Sequence, residues 1–155
     1  SVLGFPNYME LDNAASLFSG KTILSVEFWI YPNTAWSGTK IILEYSSGLS
    51  TFSFEGGSGS VIFLTNNGSN ISTSLTVKWT HIALVMDGTN KYIYKDGVEV
   101  ASTAFSAALL HTYEFNVGGR GDTYNFDGII DELRIYNYAL SPVRIGQHAR
   151  NYRFP

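Results

Sequence analysis

The stretch that most constrains the fold is WTHIALVMDGTNKYIYKDGVEVAS, residues 79–102. Its first part alternates. Ile82, Leu84 and Met86 fall on one face and His81, Ala83 and Val85 on the other, which is the period of a strand rather than a helix. Asp87-Gly88-Thr89-Asn90 supplies small polar residues that tolerate a reversal, and Tyr92-Ile93-Tyr94 is a second strand. Asp96-Gly97 follows between Lys95 and Val98. This pair suits a tight two-residue hairpin, because both central positions need positive φ. Three strands therefore run as a meander inside one short segment, so the chain is all-β and its specific chemistry belongs in loops.

The rest of the chain keeps that period. Pro6 cannot donate to a ladder, so the short strand Tyr8-Met9-Glu10-Leu11 begins after it. In TILSVEFWIY, residues 22–31, Val26, Phe28 and Ile30 oppose Glu27, Trp29 and Tyr31, and Pro32 ends the run. A polar loop carrying Trp36 leads to IILEY at 41–45, and short alternating runs follow at 51–55, 61–65 and 71–77, separated by Ser and Gly clusters. After the meander, residues 113–117 read as a strand entering the glycine-rich loop 118–125, and FDGIIDELRIY, 126–136, is the longest strand. Residues 137–152 read as a turn and a short helix, with Ser141 as N-cap and Pro142 at the first helical position. Strands this short and evenly spaced need two sheets to bury their apolar faces, which predicts a β-sandwich.

A chain of 155 residues is expected to form one domain, 1–155, large enough for a proper core. Its net charge of -3 offers no basic field for nucleic acid. Cysteine is absent, which excludes thiolate metal sites and disulfides and leaves stability to packing. No apolar run reaches the roughly 18 residues of a membrane span, so no membrane insertion is expected. The sequence opens at Ser1 without a methionine, which suggests a removed leader or one part of a larger protein or assembly.

Three segments carry a resemblance: the 79–102 run, LSVEFWIYP at 24–32 and NVGGRGDTYNFDGIIDELRIYNYALS at 116–141. They resemble the concanavalin A-like, laminin G type domains, in which a strand with a W-I-P-like end, a W-x-H-I-A strand, a D-G hairpin and a G-x-I-D-E-x-R-I-Y-N-x-A-L-S end recur in this order. The resemblance implies a two-sheet antiparallel jelly-roll β-sandwich with a short C-terminal helical segment. It also implies an extracellular, cell-surface or virion-exterior setting and a carbohydrate-binding or adhesive role. Members often hold a structural calcium near the closing strand. By strict alternation Ile129, Asp131, Leu133 and Ile135 share the core-facing side of that strand, where a carboxylate needs a hydrogen-bond partner or a metal. Asp131 is therefore the candidate calcium ligand, the alternative being a carboxylate that accepts backbone N–H bonds at a sheet corner. Relatives commonly carry a D-G type turn before the first strand where this chain has Phe5-Pro6-Asn7, which removes one acidic ligand.

Sugars are recognised by aromatic rings against their C–H faces and by planar polar groups that pair with hydroxyls. The loop at 120–125 offers Arg120, Asp122, Tyr124 and Asn125, with Trp36, Tyr45, Asn66 and Asn67 as partners from other loops. The alternative for each is local: Tyr124 covers a core edge, Arg120 pairs with Asp122, and the asparagines serve turns. Arg120-Gly121-Asp122 also spells an integrin-recognition tripeptide, and Asn67-Gly68-Ser69 and Asn70-Ile71-Ser72 fit the glycosylation acceptor pattern.

No catalytic constellation emerges. The closest approach to the E-x-D-x-x-E strand of glucanases is Asp127, Asp131 and Glu132, which alternation splits between two faces. His81, His111 and His148 form no metal-ligand pattern, and the glycine-rich loop leads into a strand rather than a phosphate-binding helix. The reading is a non-catalytic module that binds glycan through rim loops. The alternative is a structural or decorating domain of a virion, pilus or surface layer that contacts protein partners, through groups such as Trp36 and the aromatic and arginine residues at 150–155.

Overall fold

A computed structural model describes residues 8–34, 37–46, 50–57, 59–66, 68–110, 114–121 and 124–151. Two sheets pack face to face. One has six strands in the order β1 (Met9–Leu11), β10 (Glu114–Val117), β3 (Lys40–Ser46), β4 (Ser50–Gly57), β5 (Ser60–Thr65) and β6 (Ile71–Ser74). The other has five: β11 (Gly128–Tyr136), β2 (Ile23–Pro32), β7 (Thr80–Asp87), β8 (Asn90–Lys95) and β9 (Val98–Ala104). Neighbouring strands in both are antiparallel. This is the jelly-roll sandwich that the strand spacing and the family resemblance predict.

Alternation decides which side chains meet between the sheets. Val26, Phe28 and Ile30 from β2 join Ile82, Leu84 and Met86 from β7, and across from them lie Phe52, Phe54, Phe63 and Phe115. Burying each such side chain contributes roughly 1.5–3 kcal/mol. A one-turn helix, α1 (Ala15–Phe18), was not evident in the sequence. It seats Phe18 between the rings of Tyr45 and Phe115, at centroid distances of 4.6 and 4.8 Å. Lys91 is also interior: its ammonium donates to the Phe63 carbonyl at 3.1 Å and the Thr65 hydroxyl at 2.9 Å, tying β8 to the facing sheet.

The 79–102 meander folds as its pattern requires. Asp96 and Gly97 take φ of 51° and 84°, the left-handed pair of a two-residue hairpin. At the preceding reversal the Asp87 carboxylate accepts the N–H groups of Thr89 and Asn90 at 2.8 and 2.7 Å. The second face of β7 is covered by α2 (Pro142–Asn151), whose Ile145 packs with Leu140 on Ala83, Val85 and Tyr94. Ser141 caps it by accepting the Arg144 N–H at 3.3 Å, as the sequence indicated.

One expectation fails, at β11. Its pairing with β2 slips between Asp131 and Arg134, and Glu132 takes a left-handed φ of 54°. That β-bulge adds a residue and reverses which side chains face inward. Ile130 before it, and Leu133 and Ile135 after it, pack on the core. Ile129 is half exposed and Asp131 lies in solvent on the outer face, so strict alternation placed Asp131 on the wrong side.

Candidate functional site

The site is built by the loop between β10 and β11. The Gly118 N–H donates to the Ile42 carbonyl at 2.9 Å, the Phe126 N–H returns to the Gly118 carbonyl at 2.8 Å, and the Ile41 N–H donates to the Tyr124 carbonyl at 2.9 Å. Asn125 also bridges Ile41 in parallel. The loop is thus laid along β3. Only glycine fits at 119, because a Cβ there would sit 2.2 Å from the Asn125 Oδ1.

From this loop Arg120 reaches back to β3. Its Nη1 donates to the Glu44 Oε1 at 3.0 Å, and the guanidinium carbon lies 5.4 Å from the centre of the Tyr124 ring. The Glu44 side chain is 1% exposed while that of Arg120 is 40% exposed, so a closed carboxylate holds an open guanidinium. Tyr124 beside it is 38% exposed. Beneath the pair, Asn116, Glu44 and Ser53 form one cross-strand row over β10, β3 and β4. Glu55 follows on β4, where burial, with the Glu44 carboxylate second, pushes its carboxyl up. Asn116 is buried with no protein partner for either its amide nitrogen or its oxygen. An amide left so costs stability.

Of the residues proposed from sequence, Arg120, Tyr124 and Asn125 come together, with Asn125 serving the loop's own geometry. Tyr45 does not join them: it is fully buried, stacked on Phe18, because it shares a face with Leu43 and pairs with Phe52 across β4. Asn66 follows Thr65, at the opposite end of the sheet from the 118–126 loop, and donates to the Ala108 carbonyl at 3.1 Å. Trp36, Asn67 and Asp122 lie outside the described residues. Asp131 uses its Oδ1 to accept the Glu132 N–H at 2.8 Å within the bulge. Among the described residues no group of three or more His, Cys, Asp or Glu side chains gathers to hold a metal ion. The neighbouring acids are engaged elsewhere, Asp127 by the Asn33 amide at 2.9 Å and Glu132 by Arg134. Glu44 and Asn116 were missed, although the alternation of IILEY already sets Glu44 opposite Tyr45.

A second polar cluster, also missed, lies on the outer face of the five-stranded sheet. The buried Glu27 carboxylate accepts the Tyr136 hydroxyl at 2.6 Å and meets His148 Nδ1 at 2.8 Å, Arg134 Nη1 at 3.4 Å and His81 Nε2 at 3.5 Å. Burial raises its pKa, but hydrogen bonds from His81, Tyr136 and His148 outweigh that and leave the carboxyl at about 2. The cluster pins α2, through His148, and β11, through Arg134 and Tyr136, to the middle of β2. Its members bond to one another, although the buried His81 Nδ1 has no partner among the described residues, and the cross-links mark it as a structural brace.

The profile of a family described as the concanavalin A-like lectin/glucanases superfamily matches residues 4–146. The chain belongs to that superfamily. No curated protein matches it in sequence. Among solved structures, domain 4 of AbnA, an extracellular arabinanase from Geobacillus stearothermophilus in complex with arabinotriose, superposes with a TM-score of 0.72 at 23% identity, over 92% of this chain and 72% of that one. A putative carbohydrate binding protein from Bacteroides ovatus gives 0.73 at 16%, over 90% and 44% of the two chains. The binding domain of botulinum neurotoxin DC, in complex with rat synaptotagmin II, gives 0.71 at 14%, over 95% of this chain and 40% of that one. At these identities the likeness is one of fold. The superfamily member described here spans well under half the length of the neurotoxin domain.

Proposed function

We propose that this chain is a non-catalytic carbohydrate-binding module of an extracellular or surface protein, and that the 118–126 loop carries its ligand contacts. The observation behind the reading is the Arg120 guanidinium, fixed by buried Glu44 at 3.0 Å and set beside the half-open ring of Tyr124. A guanidinium held in place pairs with vicinal hydroxyls at little entropic cost, and an aromatic ring beside it packs on a sugar C–H face. Superfamily membership and the arabinotriose complex of a similar domain support a glycan over other ligands.

The test is a glycan array that includes arabinan oligosaccharides, run with the native chain and with Arg120→Ala/Tyr124→Ala, each with and without EDTA. Binding that is lost in the double variant supports the site, and binding that survives EDTA places calcium outside it. Equal binding by both proteins removes the loop from the reading. A second reading, contact with a protein partner, is favoured by the edge strand β1, whose Met9 and Leu11 are 55% and 43% exposed. It gains if no glycan binds.

A further inference from the structure

We infer a second binding site, for an alkylated ammonium group, in the cleft between β8 and the turn entering α2 on the outer face of the five-stranded sheet. It lies on the other sheet from the Arg120 loop and does not depend on the glycan reading. The cleft encloses about 370 Å³. Tyr92 and Tyr94 form one wall, their ring centres 6.1 Å apart, Leu140 and Pro142 form another, and Asp87 and Glu99 supply carboxylates.

These groups share one preference. The face of a phenol ring is electron-rich and attracts a cation, most strongly where water is excluded. The Tyr92 hydroxyl donates to the Asp87 Oδ2 at 2.8 Å, which adds electron density to that ring. Burial raises the Asp87 carboxyl, but the N–H groups of Asn90 and Thr89 and the hydroxyls of Tyr92 and Thr89 outweigh it and hold it at about 2, so it is an anion at any ordinary pH. Among the described residues lining the cleft there is no lysine or arginine to neutralise the two acids. The lysines flanking the tyrosines turn away: Lys91 is bonded inside the sandwich and Lys95 donates to the Ser74 carbonyl at 2.6 Å. The α2 N-terminus, which adjoins the cleft, offers few free donors, because Pro142 has no N–H and Ser141 caps Arg144. Two aromatic rings, an apolar floor and uncompensated negative charge suit an ammonium carrying methyl groups better than a neutral sugar. Such a group comes from a choline-type molecule or from a methylated lysine side chain.

The experiment is an amide NMR titration of the full chain with choline chloride, with an Nε-trimethyl-lysine amide, with 3,3-dimethylbutanol as choline's neutral isostere, and with sodium chloride at matched ionic strength. Saturable shifts at residues 87–99 with one or both cations, and none with the isostere or the salt, are expected. The tighter cation identifies the source. Exposed Glu99→Gln should weaken binding about tenfold, Tyr92→Leu should do the same, and Arg120→Ala should leave it unchanged. Saturable shifts that are absent, equal for the isostere, or unaltered in Glu99→Gln overturn the proposal.

Discussion

At the scale of single residues, two buried ionisable side chains govern how stability responds to pH, with the same sign in two separate windows. Glu27 has a folded pKa of about 2 against an ordinary 4.5, so its stabilisation is complete above 4.5 and is lost as pH falls toward 2. Thermal melts from pH 5 to 2 should show that loss, and Glu27→Gln should remove roughly 3 kcal/mol at pH 7 and flatten the dependence. Lys91 acts in the alkaline range: burial lowers it from 10.5 to about 8. Its charged form is penalised below 8, and as pH climbs from 8 to 10.5 the unfolded chain holds the extra proton and stability rises. Denaturation at pH 7.5 and 10.5 should show that gain, on the order of 3 kcal/mol, in the native chain relative to Lys91→Met. A difference of zero between the two proteins would mean that burial does not lower Lys91 from its ordinary pKa. Neither residue's role is legible in the sequence. Glu27 gathers His81, Arg134, Tyr136 and His148 from strands and a helix far along the chain, and Lys91 looks like any surface lysine on an alternating strand until the sheets close over it.

At the scale of elements, turns and bulges set what each strand presents. The Asp96-Gly97 hairpin was legible because its conformation has a residue signature, and it also seats α2: a Cβ on Gly97 would stand 3.0 Å from the Gly146 Cα and 3.3 Å from the Ala149 Cβ. Gly97→Ala should therefore destabilise by about 1–3 kcal/mol in chemical denaturation, through both the left-handed φ and the helix contact. The bulge in β11 was not legible, since Glu132 takes the left-handed conformation without being glycine or asparagine, and the segment reads as unbroken alternation. Tyr45 was misplaced for a related reason. At the end of a strand an aromatic reads equally well as rim or core, and only the partners Phe18 and Phe52 decide. In the 118–126 loop, Gly119→Ala should push Asn125 away and displace Arg120. A glycan retained on the array by Gly119→Ala would contradict the loop geometry, whereas loss of binding with a melting temperature close to native agrees with it.

At the scale of the whole molecule, the sandwich is a rigid frame that presents different chemistry on its two outer faces. The six-stranded sheet carries a guanidinium and a phenol over a row of buried polar groups, and the five-stranded sheet carries the Glu27 brace, α2 and an acidic aromatic cleft. The fold was legible because the two-residue period recurs throughout the chain and the closing motif is specific. The proposed site was legible only where one loop supplies neighbours in sequence, as Arg120 and Tyr124 do. Glu44 and Asn116 needed the register of β3 and β10 to bring them alongside. The most direct test of the central claim is an amide NMR titration with the glycan that binds best on the array. The account predicts saturable shifts at Asn116, Gly118, Gly119, Arg120, Tyr124 and Glu44, with none at residues 87–99. Shifts confined to other surfaces, with these amides unmoved, would contradict it.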